Sequence, residues 1–599
     1  MPFAPVLPVA IPLFTAALLA ALTKAISSRV SLLISIAGTF ATTGASALLI
    51  AKSLDRTIVY WFGGWSAHNG KTLGISFAID PIGAGLAAFA GLLTFAALVF
   101  SAKYFDTAAN HFHALILAFL AGMSGFTLTG DMFNLFVFFE LMSAAAFALC
   151  GHKTEDASSL QGTINFAVTN TIGAYFVLTG IALLYARASA LNMAQMGRTL
   201  AQHAPDALVL AAFAFISCGY LIKAAVVPFH FWLADAHAVA PTPVCVLFSG
   251  VMVEMGLYAV ARIYWAVFEP ALHPYERGLR MLLVGIGAAT AIVGAIMCYS
   301  QRNLKRLLAF STISHMGLMT AGVGLLTVGG LAGASIYALG HGLVKAGLFL
   351  AAGIVLHRLE SVDEIELHGR GRRLKWAALV FFLGALGLAG IPPSGLSLGD
   401  NLMHASAENA GYSWIKWVSL FAASATAAAV LRSGARVFLG WGPREESEHE
   451  LAPKAKEKPE TETAHHVTPP GMPISAMACV LAGLFLAFVP RLKDGTMAAA
   501  SRFEDSAGYA ARVLEGSTVA VHGAPTEVAA PIWGAIALGI ALSVASGHLF
   551  SERFRKFAER ATVPMKPLHA LHSGHIGDYV TFLTFGIAVF GLVCIFSFH

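Results

Sequence analysis

The chain has 599 residues, 57% of them hydrophobic and only 12% charged, with a mean hydropathy of +0.71. Soluble domains carry about 25% charged residues, so this composition excludes a soluble enzyme and indicates a polytopic helical membrane protein. The net charge of +5 reflects lysine and arginine in loops, with no signal for nucleic acid. The cysteines (Cys150, Cys218, Cys245, Cys298, Cys479 and Cys594) stand singly, which supports no iron–sulfur or structural zinc site, and with no phosphate loop or redox centre elsewhere no metal or cofactor is expected.

The N-terminal MPFAPVLPVAIPLF lacks the basic region of a cleaved signal and is expected to be the first span. Apolar run lengths predict about sixteen spans. They lie near 2–22, 30–51, 78–101, 112–130, 132–150, 162–185, 207–238, 240–264, 279–298, 303–326, 331–357, 374–410, 413–439, 472–490, 528–550 and 575–598. Between the second and third, IVYWFGGW and LGISFAID flank a His-Asn-Gly turn, the pattern of a surface hairpin. Residues 443–470 are charged, proline-rich and free of aromatics, and should be disordered or loosely attached. The mixed composition of 491–527 leaves open whether it lies on the membrane or folds over it. Lys24, Arg29, Lys103, Lys153, Arg302, Lys305, Arg306, Arg370, Arg372, Arg373 and Lys375 share one side under this count. That side should be cytoplasmic, with the N-terminus outside.

Two spans are broken by proline, at Pro228 and at Pro392–Pro393. Interrupted helices at membrane depth are tolerated only where protein or a cavity covers them. The breaks lie five spans apart, an odd number, so a repeat of that period reverses direction across the membrane, as in an inverted-repeat transporter.

Ionisable groups cluster around these breaks. Placing one at the bilayer centre costs roughly 2.5–3.5 kcal/mol on the most lenient scale, so such groups usually face a polar interior. Glu140, with apolar neighbours on both sides, and Lys223, just before the first break, are the candidate anion and cation. Glu254 follows in the next span. His341 and Lys345 stand four apart on one helix face, with glycines nearby to open space for water. A histidine titrating near neutral pH beside a lysine suits a relay. His315 is a further candidate, against the alternative of a core histidine. Lys305 could join the path or snorkel at the cytoplasmic end. His230 and His237 flank the first break and could carry protons or sit at the interface. Asp400, past the double proline, is either an exit group or a helix cap. Asn165, Thr169, Asn170 and Tyr175 form a polar stripe suited to helix–helix hydrogen bonds.

The motifs KAAVVPFHFWLADAHAVAPTPV, RNLKRLLAFSTISHMG, HGLVKAGLFLAAG and GIPPSG together closely resemble the antiporter-like subunits shared by complex I, Mrp-type cation/proton antiporters and energy-converting membrane hydrogenases. The resemblance covers roughly 75–440. It implies a fourteen-helix, all-α core with two inverted five-helix repeats and discontinuous helices 7 and 12, here with about two further C-terminal helices. The implied division is 1–111 (helices 1–3 and the hairpin), 112–264 (first repeat), 279–439 (second repeat), 440–471 (charged loop) and 472–599 (helices 14–16). It makes Glu140 the partner of Lys223, places His341 and Lys345 in the central relay and puts Asp400 at the exit. Glu254 stands where many members have lysine, which leaves sodium open beside protons as the transported ion.

The implied activity is proton translocation, with cation antiport open, in the cytoplasmic (inner) membrane of a bacterium. Partners would be lipid and other membrane subunits of one complex. Lys223 would hold its proton while Glu140 is near and ionised, then pass it toward His341, Lys345 and Asp400 once the pair separates. The chain offers no catalytic centre of its own, so any driving oxidoreductase chemistry belongs to partner subunits. The alternative is an energy-coupling subunit serving a peripheral partner such as an inorganic-carbon uptake protein.

Overall fold

A computed structural model of the chain describes residues 3–105, 109–202, 204–444, 467–517, 532–562 and 571–597. Apolar runs become helices in the order expected. They open with α1 (Leu7–Ala21), α2 (Ser28–Ser53), α3 (Pro81–Ser101), α4 (Ala109–Leu128), α5 (Met132–Cys150), α6 (Ala157–Ala188), a short α7 (Met193–Leu200), α8 (Ala207–Lys223) and α9 (Phe231–Val239). Next, α10 (Thr242–Leu247) runs through a π-helical turn, Phe248–Met252, into α11 (Val253–Ile263) and on to α12 (Glu269–Leu272). The remaining helices of the core are α13 (Glu276–Tyr299), α14 (Leu304–Gly324), α15 (Val328–Leu359), α16 (Lys375–Leu388), α17 (Gly395–Asn409) and α18 (Ile415–Gly434). Beyond it lie α19 (Gly471–Leu484), α20 (Leu492–Glu504), α21 (Ser506–Glu515), α22 (Ile532–Phe550), α23 (Glu552–Thr562) and α24 (Ile576–Ser597). Among the described residues, twelve helices are long and apolar enough to cross a membrane, and α8, α16 and α19 are shorter apolar helices. The span expected over 472–490 is therefore only fourteen residues of α-helix, followed by a 3-10 turn at Leu486–Phe488.

Short polar side chains set the helix starts. Asp80, Asp131, Asp156, Asp206, Asn303, Thr327 and Ser394 each accept from backbone amides two or three residues on, satisfying donors the first turn leaves free. The expected hairpin is present: β1 (Ile58–Trp61) pairs antiparallel with β2 (Ser76–Ile79). At its tip His68 and Lys71 exchange both backbone hydrogen bonds across Asn69 and Gly70, both left-handed, as a two-residue primed turn requires.

The two breaks share one hydrogen-bond pattern. After α8, the Ala225 amide bonds the Ile222 carbonyl at 3.0 Å and the Val226 amide bonds Leu221 at 3.2 Å. After α16, Gly390 bonds Gly387 at 2.9 Å and Ile391 bonds Leu386 at 3.2 Å. Both are Schellman terminations, with Ala225 (φ 52°) and Gly390 (φ 73°) left-handed. Pro228 and Pro393 lie three residues beyond those left-handed residues. Side chains pin the first break: Trp232 Nε1 donates to the Ile222 carbonyl at 2.9 Å, and Thr290 Oγ1 accepts from the Val227 amide at 3.0 Å. Ser394 caps the restart of the second.

Helices α14 and α15 form the interior, their spanning windows 100% and 94% buried. Close approach of α13 and α14 rests on small residues: a Cβ on Gly317 would lie 2.3 Å from the Ala291 nitrogen. The part of 491–527 that is described folds over one end of the bundle. There Arg502 donates to the Ser53 carbonyl at 2.7 Å and Arg512 to the Thr57 carbonyl at 3.0 Å. Most of 443–470, expected to be loose, lies outside the described residues, as does 518–527.

Candidate functional site

The first break ends α8 at Lys223, a wholly buried residue. Its ammonium sits at a helix C-terminus, where the dipole favours a cation, and donates to Ser143 Oγ on α5 at 3.2 Å. The rings of Phe139 and Phe166 flank it at 5.2 and 5.6 Å. Glu140 is half-buried one turn from Ser143. No ion pair joins it to Lys223 among the described residues. The direct pairing implied by the resemblance therefore gives way to a bond from Lys223 to Ser143, although the two charges remain within electrostatic reach.

Aromatic rings lie beyond Lys223. Phe166 stacks on Trp232 with centroids 4.7 Å apart and touches Phe248 at 5.4 Å, and Phe248 in turn touches the His237 ring at 6.0 Å. His237, on α9, is fully buried and stacks on Phe349 at 4.6 Å, with neither ring nitrogen hydrogen-bonded among the described residues. It lies within electrostatic reach of Lys345 and Lys305. Lys305 is wholly buried, donating to the Ala240 carbonyl at 2.8 Å; the snorkelling geometry considered for it does not occur, because its ammonium turns inward to the end of α9. His230 is likewise buried rather than interfacial, with His572 Nε2 3.2 Å from its own Nε2.

A second cluster surrounds the middle of α15. Lys345 donates to the Leu308 carbonyl at 2.5 Å and to Ser311 Oγ, both on α14. His341 does not bond Lys345; its Nδ1 meets Glu254 Oε1 at 3.1 Å, and its ring stacks on His315 at 5.3 Å. His315 bonds the Tyr337 hydroxyl at 2.6 Å and Thr426 Oγ1 at 3.1 Å. Past the second break, Asp400 accepts from Ser419 Oγ at 2.7 Å and stands 3.3 Å from His404 Nε2. It does not cap α17, which Ser394 does. Tyr337 and Asp400 both line a cavity of about 20 Å³, room for about one water.

Several members of this array escaped the sequence reading. Tyr337 precedes His341 by four residues and His404 follows Asp400 by four, a spacing that puts each pair on one face. Ser143, Ser311 and Thr426 carried no such signal. Buried ionic clusters also lie toward the bundle ends. Asp80 pairs with Arg262, whose guanidinium lies 3.8 Å over the Phe503 ring. Glu364 binds Arg436 at 2.5 Å and Arg432 at 3.3 Å. Asp235 binds Arg306 at 3.0 Å and accepts from the Tyr579 hydroxyl at 2.7 Å and, at 3.3 Å, from Asn165. Of the expected polar stripe, Asn165 does bridge helices, whereas Tyr175 faces outward, 64% exposed.

Comparison with known proteins gives this layout a family. Residues 129–426 match the family described as "NADH:quinone oxidoreductase/Mrp antiporter, TM". The chain is 33% identical to NADH-quinone oxidoreductase subunit N of Desulforudis audaxviator over 396 residues, 65% of this chain and 77% of the relative. It is 31% identical to a subunit of the Na(+)/H(+) antiporter of Alkalihalophilus pseudofirmus over 288 residues, 47% of this chain and 56% of that one. The solved Mrp complex from a Dietzia species contains a chain matched with a TM-score of 0.74 at 25% identity, covering 86% of this chain and all of that one. A chain of the archaeal membrane-bound sulfane sulfur reductase matches in fold, with a TM-score of 0.73 at 24% identity. The relatives are subunits of multisubunit membrane complexes, and the chain, a multi-pass membrane protein, belongs to the NADH:quinone oxidoreductase/Mrp antiporter transmembrane family.

Proposed function

We propose that this chain is a proton-translocating membrane subunit of a complex I-like or Mrp-type assembly in the cytoplasmic membrane of a bacterium. One observation carries the reading: Lys223, His237, Lys305, His315, His341 and Lys345 are all buried at 2% exposure or less between two helix breaks. Burying so many ionisable groups costs stability, so their presence in the core points to a function that outweighs the cost. The shared termination pattern of the two breaks supports a first repeat over 112–264 and a second over 279–439.

In this reading protons pass in two stages. The first holds Glu140 and Lys223; the second runs from His237 and Lys305 through Lys345 and Glu254–His341 to His315, Tyr337 and Asp400. Electrostatics is strong enough to drive it. Moving one charge against 100 mV costs about 2.3 kcal/mol, and at an effective dielectric near 20 a counter-charge is worth that much out to about 7 Å. In this reading a change in the ionisation of Glu140 shifts the balance by which Lys223 holds or releases its proton.

Protons are favoured over sodium as the ion at Glu254. Its partner is an imidazole nitrogen, whereas hard cations are held by several oxygens. The test is proton uptake by the intact complex in proteoliposomes: Lys345→Ala should reduce coupled movement to the leak rate with assembly unchanged. Wild-type movement in that variant would refute the relay.

A further inference from the structure

Helix α24 belongs to neither stage of the relay, yet it is fastened to the half-helix that restarts after the first break. Gly586 packs on that break, where a Cβ would lie 2.6 Å from Pro228 Cγ. Phe231, at the start of α9, stacks on Tyr579 at 5.4 Å and touches Phe582 at 5.1 Å. The Tyr579 hydroxyl donates to Asp235 at 2.7 Å and accepts from the Gly574 amide at 3.2 Å. Asn165 of α6 donates to the Gly574 carbonyl at 2.8 Å. These bonds hold the segment 571–575 against α9, at the bundle end where Asp235 pairs with Arg306.

So held, the segment brings one histidine to another. His572 Nε2 stands 3.2 Å from His230 Nε2, and the His572 ring touches Phe231 at 4.9 Å and Phe310 of α14 at 5.3 Å. His230 is 2% exposed, whereas His572 is partly exposed and flanked by the exposed Ser573 and His575. The segment precedes the membrane span that begins at Ile576, which puts its polar residues at the watery end of that span. The pair therefore reaches from the surface into the core. Inward, His237 follows His230 by seven residues. Seven residues make two turns of helix to within about 20°, so both histidines fall on one face of α9, roughly 10 Å apart along its axis.

We propose that His572 and His230 form the port through which protons pass between water at this end of the bundle and His237. A bond between two imidazole nitrogens needs one N–H and one bare nitrogen. Protonated His572 donates its Nε2–H to the bare Nε2 of His230, and transfer leaves a neutral His572 and a charged His230. His230 releases its Nδ1 proton to water entering along α9, and a turn of its ring readies the pair again. The same steps in reverse let a proton out. The segment before α24 thus supplies a proton carrier to the second stage, and the assignment rests on the relay proposed above.

The experiment follows proton movement by the intact complex in proteoliposomes. His572→Ala removes the carrier from a partly exposed segment and keeps the anchors at Gly574 and Tyr579. Coupled movement should fall at least about tenfold, the lower end of what a positioned proton carrier contributes. Added imidazole should recover it severalfold, since a free carrier can enter the vacated space; a folding defect would not respond. His572→Gln keeps a donor facing His230 but cannot carry a proton, so it should lose as much as His572→Ala. Wild-type movement in His572→Ala overturns the proposal, as does a loss that imidazole leaves unchanged. Wild-type movement in His572→Gln also overturns it, because His572 would then only clamp α24 to α9. Lys345→Ala keeps the two readings apart. Loss in that variant with His572→Ala unaffected removes the port and leaves the relay; wild-type movement there, with an imidazole-rescued loss in His572→Ala, leaves the port and removes the relay beyond it.

Discussion

Replacing Lys223 by methionine separates a functional lysine from a structural one. Burying the ammonium costs several kcal/mol after relaxation. Against that stand one charge-assisted hydrogen bond to Ser143, worth about 1.5–3 kcal/mol, and two aromatic faces beyond 5 Å, worth about 0.5–2 kcal/mol. The α8 dipole adds about 0.3–1 kcal/mol. The two sides nearly cancel, so Lys223→Met, which keeps an unbranched side chain one atom shorter and removes the charge, should leave the melting temperature of the complex unchanged or slightly raised. Proton movement, followed by a pH-sensitive dye in proteoliposomes, should fall at least about tenfold, because a thioether cannot hold a proton near neutral pH. Wild-type proton movement would refute the argument, and so would a variant that fails to assemble.

Other consequences follow from the same geometry. Phe248→Ala opens the ring layer between Phe166 and His237, so passive proton leak should rise severalfold while coupled transport falls; an unchanged leak would show that the layer is no barrier. Asp80→Asn strips the buried Arg262 of its ion partner, which should cost about 3–5 kcal/mol and loosen α20 and α21 in hydrogen exchange; unchanged exchange there would refute it. Glu504 is pushed from 4.5 up to about 8 by burial and then by Glu276 and Glu269. The folded protein therefore keeps a proton that the released segment gives up, so docking of α20 is strongest below pH 4.5 and weakens as pH rises toward 8. Proteolysis near residue 504 should accelerate over that range in wild type and lose its pH dependence in Glu504→Gln.

Much of the architecture could be read from the sequence because membranes impose strong rules. Run length gave the helices, proline gave both breaks, and an ionisable residue in an apolar run marked Lys223, His341 and Lys345 as candidates. The contacts between them were harder to see. Glu254 lies 87 residues from His341, and nothing local in VMVEMGLY announces that contact; it depends on how α11 crosses α15. Lys305 looked peripheral because it is the second residue of its helix, yet the neighbouring end of α9 draws its ammonium inward. The Asp80–Arg262 pair passed unnoticed because each residue sits at a helix end, where a charge ordinarily meets water.

The placement of Phe166 and Phe248 constrains how the two stages communicate. A continuous file of hydrogen-bonded groups would let protons run downhill and dissipate any gradient, whereas a layer of rings between Lys223 and His237 denies that file its middle. Charge still acts across such a layer, because Coulomb energy falls only as the inverse of distance and is stronger in a medium of low dielectric. In the proposed relay, a proton leaving Lys223 therefore changes the field felt at His237, Lys305 and Lys345 before any proton crosses. Transfer in that scheme waits for the rings to turn or for water to enter, and the ionisation of Glu140 sets when the crossing is favourable. In the proposed relay, this arrangement lets a distant reaction act on proton position through charge alone, while the closed rings hold the gradient between turnovers.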